Sequence, residues 1–442
     1  MVSNKYPDSE ARGSSAIEAR AYSKAAWRLL PFLFLCYVAA YLDRVNVGFA
    51  KLQMLNDLAF SETVYGLGAG IFFIGYFLFE VPSNIIMHRV GARVWIARIM
   101  ITWAIISAAS LFVKTPTMFY VMRFLLGVAE AGFFPGIVLY LTYWFPAVRR
   151  SRMNALFMMG IPVAGVVGGP LSGWIMAAFQ GVGGWSNWQW LFLLEAIPSA
   201  VLGVVTLFCL PNNIRAAKWL SEEEKRVLEA NIQRDDAGKT HGSLGKVFTD
   251  LRIWKMAVIY FCCMMGLYGI SFYLPTLVKA SGVQGALQVG LLTAIPYAVA
   301  VASMFFVARS SDRTGERRWH FAIPAALAGA GLYASTQLTG NIPLAMLALT
   351  VGTAGMLATM PVFWTYPSAI LAGGSAAAAI GMINSVGNLA GFVSASIIGW
   401  LKDVTHSTNA GIYCVSGALV FGAVLALLQT RQAARGSERL AG

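Results

Sequence analysis

Four ionisable residues set inside two apolar runs are the groups in this sequence best placed to do chemistry. Asp43 and Arg44 are neighbours in Tyr41-Leu42-Asp43-Arg44-Val45-Asn46, near the outer end of an apolar run from Ala25 to Phe49. Arg123 and Glu130 lie in a second run, 117–145. A charge at membrane depth costs roughly 2.5–3.5 kcal/mol on insertion scales, so such groups line a cavity or a pathway. Arginine keeps its charge and presents a planar fork that fits a carboxylate. A carboxyl in a partly desolvated cavity can take up and release a proton. Arg123 and Glu130 share one helix face, two turns or about 10 Å apart along the axis. Arg44 and Arg123 stand at similar depth, with Glu130 closer to the inner end. This arrangement suits an anion clamped by Arg44 and Arg123 above the proton-titrating acids Asp43 and Glu130. Adjacent helical side chains diverge by about 100°, so Asp43 and Arg44 are not each other's main partners. Their neighbours are expected on the run 117–145, Arg123 for Arg44 and Glu130 for Asp43. An ion-pair network that only joins helices would use the same residues, but four charges on two spans are a heavy cost for packing alone.

The other polar residues in apolar surroundings are neutral or secondary. Tyr41 and Tyr76 can line the same cavity from the first half of the chain. The second half has no Lys or Arg inside its apolar runs and can offer only Tyr268, Ser271 and Tyr273, then Trp364 and Tyr366, then Asn384 and Asn388. The two asparagines are four apart and share a face, where their amides could meet hydroxyl or carboxyl oxygens. Each alone fits the role of helix-packing glue as well. Glu195 ranks below Glu130 as a proton carrier, and Glu80 lies near an inner membrane end. His88, His241, His320 and His406 fall in loops or at run ends, which argues against a histidine relay. Neither H-E-x-x-H nor G-x-S-x-G occurs, so an enzyme is not expected.

The elements that hold these residues are membrane helices. Of 442 residues 57% are hydrophobic and 12% charged, against roughly 25% charged in a soluble domain. Twelve runs of about 20 residues can be read, each matched to a hydrocarbon core of roughly 30 Å. They fall at 25–49, 63–87, 92–113, 117–145, 152–179, 189–210, 253–278, 286–308, 319–339, 342–366, 376–401 and 409–428. The fold class is an all-α polytopic membrane protein of two six-helix halves. A tail (1–24), a bundle (25–210), a linker (211–252), a second bundle (253–428) and a tail (429–442) follow. The net charge of +13 is spread over short loops instead of one face, which excludes a nucleic-acid partner. Arg89 and Arg93, Arg149 to Arg152, Arg215 to Lys255, Arg309 to Arg318 and Arg431 to Arg439 collect on one side, so both termini are expected in the cytoplasm. The loop Ser368 to Ser375 has no basic residue and weakens that count. The five cysteines sit inside runs with no zinc-site spacing and read as packing residues.

Three further patterns concern motion and anchoring. Arg89-Val90-Gly91-Ala92-Arg93 after the second run and Asp312-Arg313-Thr314-Gly315-Glu316-Arg317 after the eighth are imperfect copies of one D-R-x-G-x-R frame, with His88 where the first copy would carry its acid. Glycine permits the tight inter-helix turn and the charges can pair at helix ends, a gate motif on the inner side. Gly160, Pro162, Gly165, Gly168, Gly169, Pro170 and Gly173 crowd the fifth run, where small residues allow close helix approach. Trp185, Trp188 and Trp190 read as an interfacial aromatic belt. Ser221-Glu222-Glu223-Glu224 in the linker is a capping-box helix start.

Together, the segments 41–49, Glu80-Val81-Pro82-Ser83-Asn84, 123–136 and Trp188-Gln189-Trp190-Leu191-Phe192 resemble the anion:cation symporter family of the major facilitator superfamily. The resemblance covers essentially all twelve runs. Phe363-Trp364-Thr365, 383–388 and 399–403 are similar to the tartrate and 4-hydroxyphenylacetate branches, with galactonate permeases also related. It implies proton-coupled uptake of a small organic anion by alternating access, with Asp43 and Glu130 as protonation sites and Arg44 and Arg123 in binding and coupling. A tartrate-like hydroxycarboxylate, a sugar acid or an aromatic acid all fit two arginines facing a polar-aromatic half. An anion exchanger and a non-transporting anion sensor are the alternatives. The expected setting is the cell inner membrane, as a monomer in the lipid bilayer, with protons as coupling ion and no other cofactor.

Overall fold

The computed structural model describes residues 7–237, 249–366 and 374–440, and among these every regular element is a helix. The first half comprises α1 (Pro7–Leu58), α2 (Glu62–Val90), α3 (Ala92–Ala109), α4 (Pro116–Glu130), α5 (Phe133–Thr142), α6 (Ala147–Met158), α7 (Gly160–Ala178) and α8 (Asn187–Cys209). After the linker helix α9 (Glu222–Ala237) come α10 (Leu251–Ala280), α11 (Ala286–Thr314), α12 (Arg318–Gln337), α13 (Ile342–Phe363), α14 (Gly374–Thr405) and α15 (Asn409–Leu440). Two crossings are each built from a pair of helices, α4 with α5 and α6 with α7. Among the described residues eleven crossings are long and apolar enough to span a bilayer, and α12 makes a twelfth, 20 residues packed against α13 and α15. At 1.5 Å per residue those 20 residues reach about 30 Å, the thickness of the hydrocarbon core.

Long apolar runs form helices here because a helix satisfies its own backbone where no water can. Within the first half the main packing is α3 on α8, α2 on α4, and α1 on α7 and α8; within the second it is α12 on α13 and α15, α11 on α13, and α10 on α14 and α15. The halves meet along α7 with α11, α2 with α14, and α1 with α10. The most enclosed crossing is α10, with 89% of its most apolar stretch buried. The glycines of the fifth crossing explain one seam. A Cβ at Gly290 on α11 would lie 2.3 Å from the Gly169 carbonyl oxygen and 2.9 Å from Gly173 Cα, so the two backbones touch where side chains would keep them apart.

The side of the molecule where α1 begins is called the tail side, and the opposite one the far side. On the far side, charges join the halves. Asp403 on α14 accepts the backbone N–H groups of Glu62 (3.1 Å) and Thr63 (2.7 Å), so it caps α2 from the other half. Lys402 and the buried Lys51 both reach Glu62, and Lys51 lies 4.8 Å and 4.2 Å from the ring centres of Tyr65 and Tyr273.

Three features differ from the sequence reading. Helix α1 starts at Pro7 rather than Ala25, and its first part docks on α9, where Arg20 and Lys24 pair with the enclosed Glu224. The capping box at Ser221 is present, with Glu224 accepting from the Ser221 N–H and Ser221 accepting from the Glu224 N–H. Trp188 is buried instead of belonging to a belt, because its indole N–H donates to Asp57 at the end of α1; Trp185 is exposed and packs on Trp190. Cys209 and Cys414 are exposed and Cys36, Cys262 and Cys263 buried, all as free thiols. Residues 368–373 of the loop without basic residues, and 238–248 of the linker, lie outside the described residues.

Candidate functional site

Arg44 and Glu130 form an ion pair inside the first half, the arginine nearly enclosed and the carboxyl fully so. Both follow from local structure. Arg44 lies on the inward face of α1, and Glu130 is the last residue of α4 before the chain breaks at Ala131-Gly132 and restarts as α5. Gly132 takes φ +84°, and a Cβ there would sit 2.3 Å from Ser83 Oγ, so the break needs glycine. Arg123 and Glu130 keep their two-turn separation on the unbroken α4, so the pair forms because Arg44, and not Arg123, comes to the end of α4 where Glu130 stands.

Arg123 is buried too, and its guanidinium shares the ring of Phe72 with Arg44, each 5.3 Å from the ring centre. Arg44 also lies 5.9 Å from the Tyr41 ring and 5.6 Å from the Tyr76 ring. Among the described residues, Nε and Nη2 of Arg123 have no hydrogen-bond partner. Two guanidinium groups around one phenyl ring, one answered by a carboxylate and one not, form a cationic pocket with aromatic walls. Phe72 had no place in the sequence reading, since a phenylalanine in an apolar run carries no signal.

The second half closes this pocket with neutral groups. The Tyr41 hydroxyl is 2.7 Å from Ser271 Oγ across the halves. Tyr268 packs at a tilt on Phe73 with ring centres 4.3 Å apart, donates to Asn388 Oδ1 at 3.2 Å and lies near Arg44. Asn384 turns elsewhere: its amide donates to Glu80 Oε1 (3.1 Å) and Ser385 donates to Glu80 Oε2 (3.4 Å), another contact between the halves. Trp364 packs on Tyr260 with ring centres 5.0 Å apart, not on the arginines.

Asp43 departs from the expectation that span four supplies its neighbours. Its carboxylate accepts from Trp103 Nε1 (3.0 Å), Ser107 Oγ (2.9 Å) and Ser199 Oγ (2.5 Å), on α3 and α8. The cause is the 100° step along a helix: with Arg44 turned to Glu130, Asp43 must face the other neighbours of α1. None of its three donors was legible, because tryptophan and serine are ordinary in packed membrane helices.

At the tail side Gly91 and Gly315 take φ +97° and +67° in the two matching loops. The Arg93 N–H donates to Asn212 Oδ1 (3.0 Å), and Arg317 pairs with Asp312 (2.6 Å). Arg89 and Arg313 are exposed there.

The sequence profile of the Major Facilitator Superfamily matches residues 33–395. The chain belongs to that superfamily. A major facilitator relative from Pseudomonas putida, provisionally named metabolite transport protein NicT, is 48% identical over 92% of this chain and 93% of its own length. One from Agrobacterium vitis, provisionally named a tartrate transporter, is 47% identical over 97% of this chain and 99% of its own. Among solved structures, the D-xylose–proton symporter shares the fold with a TM-score of 0.71 at 16% identity, over 90% of this chain and 97% of that one. This protein is a multi-pass membrane transporter of a small molecule and not an enzyme.

Proposed function

We propose that this major facilitator takes up a small organic anion together with protons, with the tail side in the cytoplasm of a bacterial inner membrane. The observation that carries the proposal is the Arg44–Glu130 pair beside the unanswered Arg123 guanidinium. In the resting carrier Glu130 occupies Arg44 as an internal carboxylate. A proton on Glu130 cancels that pairing and frees the fork of Arg44, so Arg44 and Arg123 can clamp the carboxylate of a substrate. Once the substrate and proton leave toward the tail side, Glu130 returns to Arg44. Proton and anion are thereby linked without touching. Tyr41, Tyr268, Ser271 and Asn388 supply hydroxyl and amide contacts that suit a hydroxycarboxylate, in keeping with the tartrate transporter name of a relative.

The test is Glu130→Gln in proteoliposomes given labelled tartrate. The variant is expected to lose accumulation driven by a pH gradient while tartrate–tartrate exchange persists. Full gradient-driven accumulation would refute the role of Glu130.

A further inference from the structure

A cavity of about 290 Å³ lies on the far side of the second half, and none of its lining residues belongs to the arginine pocket. Ligand pockets run from about 300 Å³ upward, so this one is sized for a small molecule. Leu277 on α10 and Leu349 on α13 give it apolar surface, while the end of α12, the end of α14 and the turn into α15 give it polar walls. Of the residues that line it, Lys402 and His406 are basic and none is acidic. An anion is the occupant that such walls favour.

Donors for an anion are at hand. The Lys402 ammonium has three N–H groups, and its bond to Glu62 Oε1 takes one, which leaves two for an occupant of the cavity. The His406 ring carries an N–H in either protonation state, and Thr339 and Thr408 add hydroxyls. His406 takes φ +55°, a left-handed conformation that is unfavourable for any residue with a Cβ. The chain keeps that strain at a wall of the cavity, and retained backbone strain marks functional sites.

Lys402 is also part of the closure between the halves. Glu62, at the start of α2, receives both Lys402 and the buried Lys51, and Asp403 caps the same end of α2. An anion on Lys402 competes with Glu62 for the ammonium and so weakens a contact that crosses the halves. By linkage, an anion that loosens the closed far side is held more tightly once that side opens.

We propose that this cavity is an outer docking site for a small hydroxycarboxylate, held by Lys402 and His406, and that filling it draws Lys402 from Glu62 and loosens the far-side closure. The class of anion rests on the symport reading above; the site itself rests on the cavity and its two basic walls.

Equilibrium dialysis of labelled tartrate against purified protein counts the sites. Wild type should bind two tartrates per chain, Lys402→Gln and Arg123→Ala one each, and the double variant none. One per chain in both wild type and Lys402→Gln overturns the docking site, and that comparison needs no variant of the arginine pocket. Should Lys402→Gln not fold, His406→Gly replaces it and should weaken one of the two sites about tenfold, the loss of one hydrogen bond to a charged group; two unchanged sites overturn the proposal. Tartrate is then added to Arg123→Ala protein spin-labelled at Lys114→Cys and Lys279→Cys, exposed far-side positions of the two halves, with Cys209 and Cys414 replaced by serine. The ratio of long to short distances should rise roughly 1.4-fold to fivefold, the worth of a partly exposed ion pair. An unchanged distribution in protein that binds tartrate overturns the link to the closure. A wild type that binds two tartrates but shows no gradient-driven accumulation sinks the symport reading alone, and one that binds none sinks both.

Discussion

Asp403 offers a measurable handle on the balance between the far-side-closed state and its opposite. Its carboxylate caps two backbone N–H groups of α2 across the halves, at 3.1 Å and 2.7 Å, and opening the far side must break both contacts. Losing a capping side chain costs about 0.5–2 kcal/mol, typically ~1. The neighbouring Lys402–Glu62 pair is partly exposed and so contributes less, on the order of 0.2–1 kcal/mol. Glu62 itself is a poor choice for mutation, since its loss would strand the buried Lys51. Asp403→Ala therefore weakens the closed state selectively, and ~1 kcal/mol raises the open fraction about fivefold, bracketed by roughly twofold and thirtyfold. Spin labels at Lys114→Cys and Thr339→Cys, exposed on far-side loops of the two halves, report the opening by electron–electron distance measurement. The exposed Cys209 and Cys414 are first replaced by serine. The long-distance population should grow in Asp403→Ala while helical content stays constant. An unchanged distance distribution would refute the reasoning.

Two further outcomes test other parts of the molecule. Gly290→Ala puts a Cβ against the backbone of α7, where nothing can yield cheaply, at an overpacking cost of about 1–3 kcal/mol; the same labels should report a larger open fraction, and lowered thermal stability without any change in distances would count against a seam that parts during opening. Burial alone would raise the Glu224 carboxyl, but Lys24, the Ser221 N–H and Arg20 hold it down at about 2, below its ordinary 4.5. A carboxyl so lowered contributes stability that is complete above about pH 4.5 and is lost as the pH falls toward 2. Hydrogen exchange across α9 should quicken through that window, and Glu224→Gln should show quick exchange already at neutral pH; identical exchange in the variant would refute the clamp.

The sequence exposes what periodicity and cost can encode. Apolar runs located the crossings, since each must match the bilayer, and charges inside runs pointed to Arg44, Arg123, Glu130 and Asp43. Contacts between helices distant in the chain have no such signature. Hence the partners of Asp43, the commitment of Asn384 to Glu80 and the burial of Trp188 against Asp57 emerge only in three dimensions. The Lys51–Glu62–Lys402–Asp403 cluster was invisible for a related reason: each residue looks like an ordinary loop charge. The break after Glu130 has a local signal in Gly132 and Pro135, masked because the apolar run 117–145 is long enough for one unbroken helix.

The enclosure of α10 imposes an order of assembly. A ribosome delivers this helix seventh among the crossings, and it must first lie in lipid, where its apolar length suffices to keep it. The faces it finally turns to α14 and α15 stay against acyl chains until those last two crossings have been made. Tyr268 and Ser271, which meet Asn388 and Tyr41 in the finished protein, ride on that helix. The neutral wall of the pocket is therefore among the last parts of the molecule to take shape, after the arginine-bearing half has every helix it needs.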